Sequence, residues 1–426
     1  MALIVSKFGG TSMGSIERVK QNAARLVKMH EAGDQVVAVV SAMGSSTDDL
    51  LGIAAQVNDN PPKRELDMLV STGEQVSMSI LAMAIEALGV KAVSFTGGQA
   101  GIVTDTVHSK AKIREVKASR IRRALSQGAI AIVAGFQGVT RDGEITTLGR
   151  GGSDTTAVAV AAGLGADVCE IYTDVDGVYT ADPRACPHAR KLDSLSYEEM
   201  LELSAAGSGV LQMRSVEFAR NYKVVIHCRS AFSDEPGTLI KEVDDEMESA
   251  IISGIAYDSS EAKVTIRGVP DTVGVAARLF TALAGVNANI DMIIQNVSED
   301  GFTDISFTSP KSDLARVQEV CTKIVGEVGA REFFTDEGIA KVSIVGTGMK
   351  SNPGVAARMF GALADADINI SLISTSSIRT SVVVKADQAQ QAVRCLHTAF
   401  GLDSNSTFEE TQLSGEELAK KAAKGR

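Results

Sequence analysis

Short runs of apolar, β-branched residues alternate with longer amphipathic stretches along the first half of the chain. The apolar runs are LIVSKF, QVVAVVSA, KAVSF, AIAIVAGF, ADVCEIYT and KVVIHC; the helical stretches include ERVKQNAARLVKMHEAG, ELDMLVSTGEQVSMSILAMAIEALG and SDTTAVAVAAGLGA. Nearly continuous Val, Ile and Ala strands separated by helices are typical of a mostly parallel sheet covered on both faces. The pattern therefore predicts an α/β domain over residues 1–245.

The second half of the chain contains an internal repeat. The segment AKVTIRGVPDTVGVAARLFTALAGVNANIDMIIQN, from Ala262, aligns with AKVSIVGTGMKSNPGVAARMFGALADADINISLISTS, from Ala340. Each copy predicts a strand, a glycine loop, a helix and a strand, followed by a further strand and helix. Two copies are too few for a solenoid, which needs at least about three. We expect two small α+β modules at 246–335 and 336–410, followed by a polar tail at 411–426.

Composition and charge exclude several classes of function. Of the 426 residues, 44% are hydrophobic and 22% are charged, so the chain has the composition of a folded globular protein. The net charge is −11, aromatic residues make up only 4%, and tryptophan is absent. Nucleic-acid binding depends on basic surfaces and, for single strands, on stacking aromatic side chains. We therefore expect no nucleic-acid partner.

The cysteines and the apolar segments indicate a compartment. The five cysteines have no CxxC pair and no Cys/His ligand spacing, so neither zinc nor a disulfide framework is indicated. The N-terminal apolar stretch is too short for a signal peptide, and no segment has the 18 or so uninterrupted apolar residues of a membrane helix. We expect a cytoplasmic protein with no membrane partner. The five isolated histidines receive no role.

Three stretches of small residues follow predicted strands. They are Gly9 to Ser12, Ser41 to Ser46 and Thr96 to Gly101. Small residues let backbone N–H groups approach a phosphate closely, and Lys7 adds a positive charge beside the first stretch. The residue order differs from the GxxxxGK[ST] of a P-loop. Each stretch alone suits an ordinary turn, but loops at the carboxyl ends of parallel strands converge on one crevice.

Two further stretches carry charged residues in glycine-rich surroundings. In TTLGRGGSDTT, at 146–156, Arg150 stands between glycines where its guanidinium can bind a small carboxylate. Asp154 in the same stretch suits a helix N-cap as well as a site residue. In TDVDGVYTADPR, at 173–184, three carboxylates follow a strand, and such groups beside nucleotide phosphates usually hold Mg²⁺. An EF-hand is excluded because Ala185 stands where the final Glu would be.

Taken together, these motifs resemble the aspartate kinase (aspartokinase) family. The resemblance rests on KFGGTS at 7–12, Gly73-Glu74, Phe95-Thr96-Gly97, TLGRGGSD at 147–154, TDVDGVYTADPR at 173–184 and the paired repeats. It extends in the family's order from residue 2 to about 410. It implies an amino-acid kinase fold, with a mostly parallel central sheet and helices on both faces, followed by two ACT domains of βαββαβ pattern. The implied activity is ATP-dependent phosphorylation of the L-aspartate side-chain carboxylate to 4-phospho-L-aspartate, which begins lysine, threonine and methionine biosynthesis.

The resemblance also implies roles for individual residues. Lys7 would stabilise the phosphoryl group in transfer, and Asp154 would orient Lys7. The implied ATP-binding residues are Lys7, Gly9, Gly10, Thr173, Asp174, Tyr179, Asp182 and Arg184, with Asp182 near Mg²⁺. The implied substrate-binding residues are Ser41, Glu74, Arg150, Gly151 and Ser153. Glu74 would lie near the substrate ammonium group, and Arg150 would bind its α-carboxylate.

For the repeats, the resemblance implies pairing between subunits and binding of lysine or threonine. The implied effector residues are Asp271, Gly274, Ala276, Asn289, Asp291 and Gln295 in the first module, and Asn352, Val355, Ala356, Asn369 and Ser381 in the second. The strand at 250–257 is expected to complete the sheet of the second module. Met247 is a candidate internal start for a separate regulatory subunit. The protein is therefore expected to form either a homo-oligomer or a heteromer with that subunit. A purely structural dimer scaffold is the alternative.

Four positions depart from the family pattern. Gly209 stands where the family usually has a Lys that contacts ATP, and one charge-assisted hydrogen bond is worth roughly 1.5–3 kcal/mol. Val273 replaces a usual Pro, Ser377 a usual Glu and Thr380 a usual apolar residue. Because allosteric coupling is typically about 1–3 kcal/mol, we expect weakened feedback inhibition. The alternatives are a kinase for another small amino acid, such as glutamate, or for an aspartate analogue, and a catalytically weak regulatory subunit.

Overall fold

The computed structural model describes residues 1–242, 252–297, 301–350, 352 and 354–403. Met247 and the predicted tail at 411–426 lie outside these residues. The helices of the first domain are α1 (Ile16–Glu31), α2 (Ser46–Val57), α3 (Lys63–Val70), α4 (Thr72–Glu86), α5 (Ser119–Ser126), α6 (Gly152–Leu164), α7 (Tyr197–Ala205) and α8 (Met213–Tyr222).

An eight-stranded sheet forms the centre of the first domain. Its strands are β1 (Leu3–Phe8), β2 (Gln35–Val40), β3 (Ala92–Phe95), β6 (Ile130–Ala134), β9 (Val168–Thr173), β10 (Ser194–Ser196), β11 (Ile226–Ser230) and β12 (Thr238–Lys241). The strand order is β10-β12-β11-β9-β1-β2-β6-β3, and every neighbouring pair is parallel except β11 and β12. The mostly parallel sheet is confirmed, and β1 lies in its middle between β2 and β9.

Both faces of this sheet are buried, which explains its continuous apolar strands. On β2, Val36 and Val40 pack into a core with α1 and α4, whereas Val37 and Val39 pack into a second core with α5, α6 and α8. Successive side chains of a strand point to opposite faces, so a strand buried on both sides needs no polar alternation. Amphipathic helices on both faces supply the matching apolar stripes.

A small four-stranded sheet, absent from the sequence prediction, lies beside the main one. Its strands are β4 (Ile102–Thr104), β5 (Ile113–Val116), β7 (Gln137–Val139) and β8 (Ile145–Thr147), in the order β5-β4-β7-β8. Strands of three or four residues give too short a periodic signal to be recognised in sequence. This sheet matters for function because β8 leads directly into the stretch that contains Arg150.

The long helix predicted over residues 65–89 is divided into α3 and α4 at Ser71. The carbonyl of Ser71 accepts a hydrogen bond from the Gln137 side chain at 2.8 Å, and the Ser71 and Thr72 hydroxyls donate back to Met68 and Leu69 carbonyls. Such back-bonding bends helices. By length and composition alone the segment 63–86 is apolar enough to cross a membrane, but α4 contributes three buried residues to the core beside α1. We interpret it as a core element.

Two antiparallel sheets form the C-terminal modules. Their strands are β13 (Gly254–Asp258), β14 (Glu261–Pro270), β15 (Ile293–Val297), β16 (Phe302–Pro310), β17 (Glu332–Asp336), β18 (Ile339–Val345), β19 (Leu372–Thr375) and β20 (Arg379–Lys385). Their helices are α9 (Val275–Gly285), α10 (Leu314–Val328), α11 (Val355–Asp365) and α12 (Ala389–Ala399). The sheet orders are β15-β16-β14-β17 and β13-β18-β20-β19. The strand β13, which precedes the first module in sequence, therefore lies in the sheet of the second.

The second module is bonded directly to the first domain. The N–H of Ile255 in β13 donates to the Thr180 carbonyl at 2.7 Å, and the Thr180 hydroxyl is 2.8 Å from His397 Nε2 in α12. Arg379 at the start of β20 forms an ion pair with Glu202 of α7 at 3.0 Å. The Thr180 contacts attach the module to the segment that follows β9, which contains the predicted nucleotide-binding residues, and the Arg379 ion pair attaches it to α7.

Candidate active site

A lysine–aspartate pair stands at the carboxyl edge of the central sheet. Lys7 lies near the end of β1 and Asp154 in the first turn of α6, and their Nζ and Oδ1 atoms are 2.5 Å apart. Both side chains are about nine-tenths buried, at 11% and 10% exposure. The pair holds a positive charge in a partly desolvated position, where it acts more strongly on an anion than it would in water.

Two of the three small-residue stretches pack against each other beside this pair. The N–H of Gly44 donates to the Gly10 carbonyl at 3.0 Å, and a Cβ on Gly10 would lie 3.2 Å from the Ala42 carbonyl oxygen. Ser41 is joined to the end of β1 by its N–H, which donates to the Phe8 carbonyl at 3.1 Å. The first two stretches therefore form one edge of the site, and the predicted residues Gly9, Gly10 and Ser41 belong to it.

The third stretch lies farther along the same carboxyl edge of the sheet. It follows β3, the outermost strand, which is separated from β1 by two strands. The backbone of Gly97 packs so tightly on β7 that an added Cβ would lie 2.1 Å from the Gln137 carbonyl oxygen. The glycines at 97–98 therefore serve packing between the two sheets of the domain.

Arg150 is presented by a turn that only glycine can form easily. Gly149 and Gly151 flank it with φ of 78° and 70°, in the left-handed region, and a Cβ on Gly151 would lie 2.1 Å from Gln212 Cγ. The Arg150 side chain is exposed, and no carboxylate of the described chain forms an ion pair with it. Ser153 follows in the buried first turn of α6. The guanidinium is thus available to an anionic ligand.

Glu74 is a buried carboxylate with one oxygen left unbonded. It lies in the first turn of α4 with 3% of its surface exposed. Its Oε1 accepts a hydrogen bond from the Ala42 N–H at 3.2 Å, whereas Oε2 is buried and has no hydrogen-bond partner in the part of the chain described. Burial raises the pKa of Glu74 to about 7. The unbonded Oε2 of Glu74 suits a cationic group of a ligand.

The segment after β9 holds the predicted nucleotide-binding residues on one side of the site. The Thr173 hydroxyl donates to exposed Asp174 at 3.0 Å, and Tyr179 forms a backbone bridge with Lys191. Asp182 accepts hydrogen bonds from Arg184 Nε and Nη2, at 3.1 and 2.9 Å, and this pairing lowers the pKa of Asp182. The carboxylate of Asp182 therefore orients Arg184, whose side chain is otherwise 91% exposed.

Sequence reasoning missed a buried acid beneath the site. Glu170 on β9 accepts hydrogen bonds from Ser6 Oγ at 3.1 Å, from the Tyr172 hydroxyl at 2.9 Å and from Arg229 Nη1 at 3.1 Å. Burial, and then the neighbouring Glu170 charge, raise the pKa of Tyr172, whose ring stacks on Phe8. The available signal was a charged residue inside an apolar strand, since Glu is almost never fully buried without partners.

The predicted effector residues occupy different environments. Asp291 lies at the junction of the modules, 2.5 Å from Lys341 Nζ of β18. Ser381 is fully buried, and its hydroxyl is 2.8 Å from that of Ser343. The exposed members are Asp271, Gly274, Asn289, Gln295, Ala356 and Asn369; those of intermediate exposure are Ala276, Asn352 and Val355. Val273 is fully exposed.

A cluster of possible metal ligands, also missed in sequence, has another explanation. Cys186, His397 and Asp403 bring one ligand atom each within 4.8 Å of one another. Both ring nitrogens of His397 already have protein partners, since Nε2 meets Thr180 at 2.8 Å and Nδ1 meets Asp403 at 2.6 Å. We interpret the cluster as a hydrogen-bonded bridge between the second module and the first domain. Residues so far apart in sequence give no spacing signal.

Family models agree with this architecture. The amino acid kinase family model matches residues 2–230, and ACT domain models match residues 264–324 and 342–400. The first match covers more than half of the chain and includes the Lys7–Asp154 pair, the glycine turn around Arg150 and Glu74. The class is therefore defined: this is a kinase of the amino acid kinase type with two ACT domains.

Individual relatives narrow the class. The chain is 55% identical to the aspartokinase of Mycolicibacterium smegmatis over 94% of its own length and 97% of the relative, and 54% identical to that of Pseudomonas aeruginosa over 95% and 98%. The crystal structure of aspartate kinase from Synechocystis is 42% identical, with a TM-score of 0.53, over 96% of this chain and 71% of that one. E. coli aspartokinase III in complex with aspartate and ADP, at 24% identity and a TM-score of 0.80, shows likeness of fold. The chain belongs to the aspartokinase family, which confirms the resemblance of its motifs.

Proposed function

We propose that this protein transfers the γ-phosphoryl group of ATP to the side-chain carboxylate of L-aspartate, giving 4-phospho-L-aspartate and ADP. The observation that carries the proposal is the buried Lys7–Asp154 pair beside two packed small-residue loops. Coupled ADP release with a panel of aspartate, glutamate and aspartate analogues tests it. Release with aspartate well above the others is expected; a preference for glutamate would favour the alternative substrate, and no release at all would favour a regulatory subunit.

Two groups of opposite charge support an α-amino acid as acceptor. Among the residues that the structure describes, Oε2 of Glu74 has no hydrogen-bond partner and the Arg150 guanidinium has no ion-pair partner. The first suits the substrate ammonium group and the second suits its α-carboxylate. Ser41 and Ser153, near the same edge, supply hydroxyl groups for further hydrogen bonds. With both ends of the amino acid held, the side-chain carboxylate is left to face the phosphoryl group.

Catalysis in this arrangement rests on positioning and positive charge. The attacking carboxylate and the ATP phosphates are both anions, so their approach needs compensating charge and a fixed geometry. Lys7 supplies that charge at the carboxyl edge of β1, and Asp154 holds its ammonium group in place. The first turn of α6 adds backbone N–H groups at the positive end of a helix.

The nucleotide is assigned to the segment after β9. Thr173, Asp174, Tyr179, Asp182 and Arg184 would line it, and Gly9 and Gly10 would face its phosphates. Asp174 is exposed, and within the described residues its one hydrogen-bond partner is Thr173. Its carboxylate therefore has acceptor capacity for Mg²⁺, whereas that of Asp182 is engaged by Arg184. Bound Mg²⁺ would neutralise phosphate charge; it prefers one or two carboxylates together with phosphate oxygens. We therefore place Asp174 ahead of Asp182 as the ligand.

Assembly and compartment follow from the same proposal. We propose a homo-oligomer that pairs through its ACT domains, with lysine or threonine bound at them, in the cytoplasm, where the five free thiols would remain reduced. A regulatory subunit started at Met247 would make a heteromer. Mass spectrometry of the product of the native gene separates these cases, because a heteromer requires a second, shorter species.

Gly209→Lys is expected to lower the KM for ATP about tenfold, because it supplies the charge-assisted hydrogen bond that the family usually makes there. The position can accept the change: Gly209 is exposed, and a Cβ added to it meets no atom within 4 Å. Steady-state kinetics with varied ATP provide the measurement. Gly326→Lys is the matched control, since Gly326 is equally open and lies in α10 of the first module. An unchanged KM for ATP in Gly209→Lys would contradict the inference that position 209 contacts ATP.

Feedback inhibition by lysine and threonine, added separately and together, is expected to be weak. Val273 is fully exposed and Ser377 is exposed, so neither supplies the usual Pro or the usual charge of the effector loops. Phosphorylation rates with increasing amino acid measure the effect. The double variant Val273→Pro, Ser377→Glu is expected to strengthen inhibition by about tenfold in effector concentration. Strong inhibition of the unmodified protein at modest concentrations would contradict the expectation.

A further inference from the structure

A buried carboxylate in the first domain, Asp67, joins three separate segments of the chain. Asp67 lies on α3 with 1% of its surface exposed. It accepts hydrogen bonds from the Thr147 hydroxyl at 2.6 Å, the Thr147 N–H at 3.1 Å and the Ser109 N–H at 3.0 Å. His108 Nδ1 lies 2.9 Å from Asp67 Oδ2. A buried carboxylate is unfavourable unless fully bonded, and here the bonds come from the loop after β4 and from the end of β8.

The segment that Asp67 holds leads directly to Arg150. Thr147 is the last residue of β8, and Arg150 follows three positions later. The loop after β4 lies against this stretch: the N–H of Ala111 donates to the Thr147 carbonyl at 2.9 Å, and a Cβ on Gly149 would lie 3.1 Å from the Ser109 carbonyl oxygen. The bonds to Asp67 therefore fix both the start of the Arg150 turn and the loop on which it rests.

A second anchor holds the same stretch from the other side. Arg214 of α8 donates from Nη1 to the Leu148 carbonyl at 2.8 Å and from Nη2 to the Ala111 carbonyl at 2.7 Å. Between these anchors and α6, Arg150 is flanked by two glycines, which restrict the backbone less than any other residue. The turn has little stiffness of its own, so the direction of the Arg150 side chain must be set by what holds its ends.

We propose that Asp67 is a positioning residue for Arg150, and so for recognition of the α-carboxylate of the amino-acid substrate. The proposal rests on the proposed function, because it concerns the contact that Arg150 makes with that substrate. Because Asp67 is 1% exposed, it would act through Arg150 and not by its own contact with substrate or nucleotide. Binding specificity of this kind requires a guanidinium fork held in a fixed orientation, since a small displacement breaks a bidentate pair.

The test is a double-mutant cycle with Asp67→Asn and Arg150→Ala. Asparagine replaces one acceptor oxygen with an amino group that faces the N–H groups of Ser109 or Thr147. Asp67→Asn is expected to raise the KM for aspartate about tenfold while the KM for ATP stays within about twofold. In the Arg150→Ala background the same substitution should change the aspartate KM little, because interacting residues have non-additive effects. With the α-amide of aspartate as acceptor, Asp67→Asn should have no effect on KM.

Controls separate positioning from general damage. Asp142→Asn, at the exposed turn before β8, should leave both KM values unchanged. If Asp67→Asn lowers the melting temperature too far for assay, Thr147→Val should reproduce its KM pattern and Thr147→Ser, which keeps the hydroxyl, should restore it. Equal increases in the two KM values, or additive effects in the cycle, would overturn the proposal. The proposed function is tested separately, by measuring ADP release from the unmodified protein with the panel of acceptor amino acids. The double-mutant cycle is then measured with the amino acid that the unmodified protein phosphorylates.

Discussion

Lys7→Ala is expected to lower kcat for phosphoryl transfer by roughly 10²–10³-fold or more, with little change in the overall fold. Lys7 is the cation held by Asp154 at the edge where, in the proposed function, the two anionic reactants would meet. Removing one preorganised group that stabilises developing charge has an effect of this size. Steady-state ADP release at saturating ATP and aspartate provides the measurement.

The control for this prediction is Lys20→Ala, which removes an exposed lysine from α1 and should leave kcat unchanged. Circular dichroism of Lys7→Ala verifies that loss of the ion partner of Asp154 has not unfolded the domain. The double variant Lys7→Ala, Asp154→Asn should be no slower than Lys7→Ala alone, because Asp154 acts through the lysine. Activity that survives in Lys7→Ala would refute the role assigned to this residue.

Glu74→Gln is expected to weaken aspartate binding and yet stabilise the fold at alkaline pH. Burial raises the pKa of Glu74 to about 7 from an ordinary value of 4.5. Glu74 therefore ionises at lower pH in the unfolded chain than in the folded protein. The free energy of unfolding falls as the pH rises from about 4.5 through 7. The whole loss amounts to about 3 kcal/mol at pH 8, and glutamine, which does not ionise, avoids it. Urea unfolding at pH 5 and pH 8 should show the gain mainly at pH 8.

The same ionisation predicts a pH dependence of substrate binding. Only the carboxylate form of Glu74 attracts an ammonium group, so the KM for aspartate should fall as pH rises through about 7. Glu74→Gln should raise that KM by about 100-fold and abolish the pH dependence. Glu86→Gln, an exposed change at the end of the same helix, should alter neither stability nor KM. A KM for aspartate that is flat between pH 6 and 8 would contradict the role of Glu74.

The fold was predictable where local pattern and burial agree. The unbroken apolar run of β2 predicts a strand buried on both faces, and both cores contain its residues. The division between α3 and α4 was not predictable, because the bond from Gln137 to the Ser71 carbonyl comes from a distant segment. Short strands such as β4 and β8 depend on pairing partners that periodicity does not reveal.

The site was predictable where its residues stand in one short sequence motif. It was unpredictable where it depends on contacts between segments that are far apart in the sequence. Lys7 and Arg150 stand in glycine-rich stretches that the family resemblance assigns, and their roles stay predictions. Asp67 and Glu170 gave no motif, since most of the donors to them lie in other strands or loops. Phe95-Thr96-Gly97 is a motif that the sequence does show, but its glycine allows the main sheet to pack closely on Gln137 of the small sheet.

The position of β13 has a consequence for synthesis on the ribosome. Its partner β18 begins at Ile339, 81 positions after β13 ends at Asp258, with the whole first module between them. At about 5–20 residues per second, β13 emerges several seconds before the strand with which it pairs. During that interval the catalytic domain is already complete and offers the Thr180 carbonyl to the N–H of Ile255. The first domain thus provides a hydrogen-bond partner for β13 before β18, the strand with which it pairs, has been synthesised.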